Sequence, residues 1–294
     1  MRKASRDIQQ EITNTIIEAL ENGVNPWVCP WDKSTDSALP YNHKTQESYN
    51  GMNILMLWIA AKERGYSRNS WLTYKQAQEL GATVRKGEKS TMGIFYKKIE
   101  MKATQSKPEA EKEFFPMAKA FNVFNVEQID GLELEAIEEL EPKQFNTVEN
   151  VENLIIKSGV DLRHGGTRAF YRSSSDFVQM PDRERFKSEL DYYATFTHEL
   201  THWTGHKHRL DRPQANEFGS ADYAYEELIA EIGSAFINAE LGLVGEVQHE
   251  SYIASWLKAL KEDKRFIFKA ASAASKAHKF IFSLTKEGEE QKAA

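Results

Sequence analysis

The feature that most constrains the fold is the segment HELTHWTGHKH at residues 198–208. His198 and His202 are four residues apart, so on a helix both imidazoles lie on one face and can reach one metal ion. Glu199, about 100° further around that helix, can take a proton from a water at the metal. Because two histidines fill only part of a metal site, the chain must fold back to bring a third ligand to this helix.

Two segments offer that third ligand. His208, with Gly205 between, matches the spacing HExxHxxGxxH of metzincins, but that class also needs a methionine turn below the metal. No methionine follows Met180 in this chain, which argues against His208. The other segment is YEELIAEIGSAF at residues 225–236, where a helix would present glutamates.

On this second helix, Glu227 and Glu231 lie one turn apart, opposite the large apolar side chains. The same face carries only small or short residues, namely Ala224, Ser234, Ala235 and Asn238. Small side chains indicate close approach to another helix, although Asn238 would also suit water. We therefore predict Glu227 as the third ligand and Glu231 as the acceptor for the N–H of a metal-bound histidine. Glu226, about 100° from Glu227, and His208 remain the alternative ligands.

Two histidines, one carboxylate and a water favour a single Zn²⁺ ion, with Mn²⁺ or another divalent ion as the alternative. Glu199 is then the predicted catalytic base, which relays a proton from water to the leaving amine. Hydrolysis of an amide also needs a donor for the developing oxyanion. Four side chains are candidates for it, and the sequence does not choose among them: Arg168, Tyr171, Tyr223 and Tyr225.

The pattern of elements divides the chain in two. Residues 1–130 show helical periodicity in three places, followed by two strand-like runs, which predicts one α+β domain. Residues 131–146 are predicted to be an acidic linker, because residues 127–141 hold seven acids and no base. An acidic surface helix is the alternative for this stretch.

Residues 147–294 predict a second domain. A helix capped by Thr147 comes first, and two short strands follow before residue 181. A helix over about residues 184–204 carries the histidines, and another over residues 220–241 carries the glutamates. At least one more helix is expected around residues 264–284. Strands, then a metal-binding helix, then a helix with the last ligand is the order of a zincin-like domain of the gluzincin type.

The first domain contains a basic, aromatic segment. Residues 62–102 hold ten bases and four acids, a local charge near +6, although the whole chain has a formal charge of −6. Cations interleaved with aromatic rings suit single-stranded nucleic acid, which needs phosphate partners and stacking surfaces. The predicted DNA-binding residues are Trp71, Tyr74, Lys75, Arg85, Lys86, Lys89, Tyr96, Lys97 and Lys98. A solvated basic face above an ordinary aromatic core is the alternative.

Cysteine content and the absence of long apolar runs indicate the cellular compartment. The single cysteine, Cys29, excludes an intramolecular disulfide and fits a reducing cytosol. No apolar run reaches the length of a membrane span, and the first residues lack the apolar stretch of a secretory signal. We therefore expect a cytoplasmic protein without a membrane partner.

Several long segments resemble ArdC-type antirestriction proteins of conjugative plasmids. In the first domain they are NPWVCPW, YNGMN, SRNSWLTYKQAQELGATVRKGEKST and FNVFNVEQ. In the second they are YRSSSDFVQMP, HELTHWTGHKHRLDR and YAYEELIAEIGSAF. The resemblance covers nearly the whole chain.

The resemblance implies a single-stranded-DNA-binding domain joined to a zincin-like metallopeptidase domain. It implies that incoming plasmid DNA is protected from host restriction during conjugation. By motif it assigns the metal to His198, His202 and Glu227 and the base to Glu199. Two hypotheses follow. The first is a DNA-bound peptidase that acts on a protein substrate such as a host restriction component. The second is a DNA-binding shield whose metal site is structural or vestigial.

Overall fold

The computed structural model describes residues 7–27, 39–100, 114–134, 147–214, 220–243 and 252–290. Its helices are Ile8–Glu21 (α1), Met52–Arg64 (α2), Tyr74–Glu79 (α3), Thr147–Ser158 (α4), Glu189–Trp203 (α5), Ala221–Leu241 (α6), Ile253–Glu262 (α7) and Phe266–Glu290 (α8). Its strands are Tyr41–Asn42 (β1), Ser70–Leu72 (β2), Thr83–Val84 (β3), Thr91–Glu100 (β4), Phe114–Asn125 (β5), Ile129–Asp130 (β6), Asp161–His164 (β7), Phe170–Arg172 (β8) and Phe177–Met180 (β9).

The strands form three sheets. The largest has the order β1-β2-β5-β4, in which β4 and β5 are a long antiparallel pair. Strands β3 and β6 form a two-stranded sheet beside it. In the second half of the chain, β9 lies between β7, which is parallel to it, and β8, which is antiparallel and forms an edge. In the first half short helices alternate with the strands, and in the second half three strands precede four helices. Most strand pairs are antiparallel, so both halves are α+β, as predicted.

Capping residues set the ends of the two helices that matter for the site. The Ser188 hydroxyl accepts the Asp191 N–H, so α5 begins at Glu189 and the predicted start near residue 184 was wrong. A short 3-10 turn at Arg183–Arg185 precedes this cap. Ser220 caps α6 in the same way, and Gly242 ends it with φ +69°, a left-handed conformation suited to glycine.

Other differences from the prediction concern element number. Three strands, not two, occupy residues 161–180. β7 was missed because it has only four residues, three of them polar, and gives no alternating pattern. Two helices, α7 and α8, occupy the region where at least one was expected. Most of the predicted acidic linker, residues 135–146, lies outside the described residues.

The apolar core does not divide at the predicted domain boundary. One buried cluster joins α1 and α2 of the first half to α6, α7 and α8 of the second. Trp58 on α2 packs edge-on against Phe236 on α6, with ring centroids 5.8 Å apart. Thr13 donates a hydrogen bond to the Lys264 carbonyl at 2.8 Å, and Ser275 accepts the Gly51 N–H at 2.7 Å. The two halves are therefore packed as one body around α6.

None of the helices in the described ranges combines the length and apolar character needed to cross a membrane.

Candidate metal centre and the predicted DNA surface

Close packing of α5 on α6 positions the candidate metal centre. A side chain at Gly233 would place its Cβ 2.5 Å from Thr201 Cγ2, so only glycine permits this approach of the two helices. Further along, the Thr197 hydroxyl donates to Asn238 Oδ1 at 2.8 Å, and Ser234 is buried. The small-residue face of α6 thus packs on another helix, as expected, and Asn238 bonds to that helix.

The approach brings together His198, His202 and Glu227, whose donor atoms all lie within 4.8 Å of one another. His198 Nε2 is 3.5 Å from Glu227 Oε2, and His202 Nε2 is 3.6 Å from Glu227 Oε1. Two ligands each about 2.1 Å from a tetrahedral zinc ion would lie about 3.4 Å apart. The donor chemistry and the spacing both fit a divalent metal ion.

Each histidine also faces a second carboxylate through its other ring nitrogen. His198 Nδ1 lies 3.7 Å from Glu231 Oε1, on the side away from Glu227. His202 Nδ1 lies 3.2 Å from Glu226 Oε1. An acceptor at Nδ1 directs the lone pair of Nε2 toward the cation and makes the imidazole a stronger ligand. Glu231 thus lies beside Nδ1 of His198, at a distance longer than a hydrogen bond, and its predicted role as acceptor stays a prediction. Glu226 lies within hydrogen-bond distance of the second histidine.

The environment of Glu226 was missed by sequence reasoning, which considered this residue only as a ligand. Arg212 donates to both of its carboxylate oxygens, at 2.7 and 3.0 Å, and also to the Thr201 carbonyl. Burial acts to raise the pKa of Glu226, but hydrogen bonds from His202 and Arg212 lower it to about 2. Nothing in the local pattern pointed to Arg212, because it reaches Glu226 across fourteen positions of chain.

The loop after α5 explains the glycine that matched the metzincin pattern. A Cβ at Gly205 would lie 2.3 Å from the Gln214 amide nitrogen and 2.9 Å from the Arg212 guanidinium. The Arg212 N–H donates to the Gly205 carbonyl at 2.8 Å, so the loop returns across the end of α5 at this glycine, and the side chains of Arg212 and Gln214 lie over it. His208 lies on the outside of this loop, exposed, with its ring beside His206. The structure does not bring His208 to the other ligands.

Glu199 lies beside the ligands in a cleft of about 310 Å³. Burial raises the pKa of Glu199 to about 7, in the range suited to a general base. Burial also acts to raise the pKa of Glu227, but His198, His202 and Tyr223 lower it to about 2, so it is ionised as a ligand must be. Burial and the charge of Glu227 raise the pKa of Glu231 to about 8. A cation at the site would favour the ionised form of Glu231.

The four candidate oxyanion donors differ in whether they line the cleft and in what their polar groups already contact. Tyr225 packs against Phe266 in the shared core and does not line the cleft. Tyr171 lines it, but its hydroxyl donates to Asp176 at 2.9 Å. Tyr223 lines the cleft one helical turn before Glu227, with its hydroxyl 3.4 Å from that of Tyr252. Burial and hydrogen bonding raise the pKa of Tyr223, so it keeps the proton that an oxyanion donor needs. Arg168 is the fourth candidate and also lines the cleft.

The predicted DNA-binding residues fall into different environments. Trp71 is fully buried in the shared core, with its ring edge-on to Tyr66, so its prediction as a DNA-stacking residue was wrong. Strand β2 is a central strand that packs on both faces, and composition does not reveal this. Tyr74 and Tyr96, by contrast, are 51% and 49% exposed.

The predicted cations also differ. Arg85 contacts Glu88, Asp130 and the Glu127 carbonyl, so it joins the small β3–β6 sheet to its surroundings. Lys75 is 84% exposed, and Lys86 and Lys89 are exposed on the segment before β4. Lys97 and Lys98 lie in β4, opposite Met117 and Pro116, and their side chains are outside the described set.

An HExxH helix packed against a glutamate-bearing helix, beside a small sheet with a free edge strand, defines a zincin-like metal centre. Comparison with family models agrees. Residues 149–273 match the zincin-like metallopeptidase family, and residues 6–124 match the N-terminal domain of the anti-restriction factor ArdC.

Known proteins match over both halves together. Crystal structures of the antirestriction protein ArdC from plasmid R388 superpose in metal-free form (TM-score 0.81, 38% identity, 96% of this chain and 99% of that one) and in Mn(II)-bound form (TM-score 0.79, 39% identity, 95% and 98%). The uncharacterized protein y4eC of Sinorhizobium fredii is 41% identical over 91% of this chain and 89% of its own length. A DNA primase TraC of Escherichia coli is 39% identical over 96% of this chain, which corresponds to 28% of that longer protein.

The chain belongs to the ArdC family of antirestriction proteins.

Proposed function

We propose that this protein binds single-stranded DNA through its first half and hydrolyses a protein substrate at the metal centre, protecting incoming plasmid DNA from host restriction during conjugation. A host restriction component is the substrate we favour, and the cytoplasm is where both would meet. The observation that carries the proposal is the grouping of His198, His202 and Glu227 beside a base with a raised pKa. A metal that only stabilised the fold would not require Glu199 in the cleft.

The ligand set is the one that zinc prefers, and we propose zinc as the resident ion. Mn²⁺ is the alternative, because the related ArdC of R388 has a Mn(II)-bound structure. When bound, the ion supplies Lewis-acid chemistry that polarises a carbonyl oxygen and makes water more acidic. His198 and His202 would hold it through Nε2 and Glu227 through its carboxylate.

The chain's own groups supply the proton transfers. Glu199 would accept the proton of the attacking water and return it to the leaving amine, for which a pKa of about 7 is well matched. Tyr223 would donate its hydroxyl hydrogen to the developing oxyanion from the wall of the cleft. Tyr171, on the edge strand β8, lines the same cleft as Glu199.

The test is an antirestriction assay in which conjugation is measured into recipients with and without a restriction system. We expect Glu199→Gln to abolish protection while metal content, measured by elemental analysis, stays near the parent value. His208→Ala is the matched control, since His208 is an exposed histidine of the same segment. It should behave as the parent in both measurements.

Full protection by Glu199→Gln, with DNA binding intact, would instead identify a DNA-binding shield whose metal is structural or vestigial. Loss of metal in that variant would make Glu199 a ligand and contradict its role as base.

A further inference from the structure

One face of β5, in the large sheet of the first half, is exposed at Ala120 and Asn122, although their partners on β4, Ile94 and Met92, pack against the core. Phe124, Asn122, Ala120 and Ala118 alternate along this strand and so share one face. Ala120 and Asn122 are exposed, and Ala118 is half-buried. Alanine is unfavourable in strands, and a solvent-facing strand ordinarily carries longer side chains. The result is a shallow floor of small residues, about 20 Å long from Ala118 to Phe124.

An exposed tyrosine lies at each end of this floor. Tyr96 on β4 is directly opposite Ala118, and residues opposite each other in an antiparallel pair share a face. Tyr74 lies at the other end, where its ring meets that of Phe124 edge-on at 6.5 Å. Both tyrosines are about half exposed, so each leaves ring surface available to a ligand.

A cation accompanies the second tyrosine. Lys75 follows Tyr74 on α3 and is 84% exposed. Its neighbour Glu79 is held by Lys44 at 2.6 Å and more loosely by Lys75 at 3.6 Å, so these three side chains sum to one positive charge. The face therefore has stacking surfaces and a low floor, with a positive charge next to Tyr74, and these are the requirements for binding a single strand.

The opposite face of the same strands is built differently. Phe95 lies opposite Lys119, and Phe121 lies opposite Gly93. A Cβ at Gly93 would be 2.4 Å from the Phe121 ring, so this ring covers the glycine. Phe121 also packs against Tyr49 and Phe95, at centroid distances of 6.3 and 6.2 Å. Tyr49 is stacked on Phe121, and Phe95 is tilted against it with 46% of its surface exposed.

We call the face formed by Tyr96, the floor residues of β5 and Tyr74 the β5 face. We infer that single-stranded DNA crosses this face from Tyr96 to Tyr74, with bases stacked on the two tyrosines. The DNA backbone would pass over Ala118, Ala120 and Asn122 and place a phosphate at Lys75. This inference rests on the proposed DNA binding and assigns it to one of the two faces. It makes Phe95, on the other face, a matched control of the same exposure and a similar ring.

The test measures binding of the full-length protein to fluorescein-labelled oligothymidine by fluorescence anisotropy. We expect Tyr74→Ala and Tyr96→Ala each to weaken binding about 5- to 150-fold, the usual contribution of one stacked base. Ala120→Glu should also weaken binding, because it places a long, charged side chain on the floor. Tyr96→Phe keeps the ring and should bind nearly as the parent does. Phe95→Ala should bind as the parent does.

The outcomes separate the two proposals. Absence of oligothymidine binding by the parent protein would refute the proposed DNA binding itself. Parent binding that persists in Tyr74→Ala, Tyr96→Ala and Ala120→Glu would overturn the assigned face and leave DNA binding standing. A loss in Phe95→Ala as large as those in the tyrosine variants would overturn it too. Circular dichroism and thermal unfolding of each variant check that these exposed substitutions leave the fold intact.

Discussion

The metal centre and the β5 face differ in whether their polar side chains are buried and bonded to one another. At the centre, Glu226, Arg212 and His202 are largely buried and bonded to one another, and Gly233 lets α5 and α6 approach closely. On the β5 face, Tyr74, Lys75 and Tyr96 are about half exposed or more, and none of them belongs to a buried network. A buried network is costly to interrupt because the remaining partners stay desolvated, whereas exposed groups are lost one at a time.

The difference suits the two proposed tasks. A hydrolytic site must hold its donors within a fraction of an ångström, and packed helices can do that. A surface for single strands of any sequence needs rings and charges that tolerate many arrangements. Substitutions at the centre should therefore act on stability and metal together, while those on the face should act on affinity alone.

The largest expected effect is at the Arg212–Glu226 pair. Glu226→Ala leaves the Arg212 guanidinium, which is 10% exposed, without its buried counter-charge. We expect a loss of about 3–5 kcal/mol in the free energy of unfolding, measured by urea denaturation. Asp161→Ala is the control, because it breaks the Arg163–Asp161 pair, which water screens, and its loss should be much smaller. Equal losses in the two variants would mean that the buried pair contributes no more to the free energy of unfolding than the exposed pair.

Next in size is the stabilisation that metal provides. An ion present at about 100 times its dissociation constant stabilises the fold by about 2.7 kcal/mol. Thermal unfolding with and without a chelator should show this shift in the parent and in His208→Ala, and almost none in Glu227→Ala. Glu231→Gln should fall between, since loss of a partner to a metal-bound histidine weakens metal binding about 10- to 100-fold. A shift that survives in Glu227→Ala but vanishes in His208→Ala would exchange the roles of these two residues.

A smaller effect is expected where α5 and α6 meet. Gly233→Ala puts a methyl group against Thr201 and should cost about 1–3 kcal/mol by overpacking. Thr201→Ser removes the methyl group that Gly233→Ala would strike and keeps the hydroxyl bonded to the Thr197 carbonyl. Gly233→Ala should also weaken metal binding, because it moves the two metal-binding helices apart. The double variant Gly233→Ala/Thr201→Ser should recover part of the lost stability and part of the lost metal affinity. No recovery would indicate that the cost lies in the helix backbone.

These regions also differ in how far the sequence predicted them. The three helices of the first half and the two metal-binding helices followed from periodicity and caps, whereas several short strands were missed. Helical spacing itself places His198, His202 and Glu199 together. The small residues on one face of the glutamate helix predicted that this face packs against another helix. Arg212 was not, since a contact from a loop depends on how the chain returns across Gly205, and no local pattern encodes that.

In the first half, composition predicted rings and cations but could not sort core from surface. Trp71 and Tyr96 come from the same basic, aromatic segment, yet one is fully buried and the other is 49% exposed. The sorting depends on which strand is central and which face is covered, and both are set by tertiary packing. The shared core around α6 was missed for the same reason.

The smallest expected effect tests the charge on the β5 face. Lys75→Met should remove one phosphate contact and reduce the slope of log K against log salt concentration by about 0.7, the value for one contact to a single strand. Glu79 keeps its closer partner, Lys44, so the fold should not respond. Lys207→Met, which removes an exposed lysine near the metal helix, should leave the slope unchanged. Anisotropy titrations of oligothymidine at several salt concentrations measure this slope. If Lys75→Met matched the parent while Tyr74→Ala still weakened binding, the base at Tyr74 would be stacked with its phosphate directed away from α3.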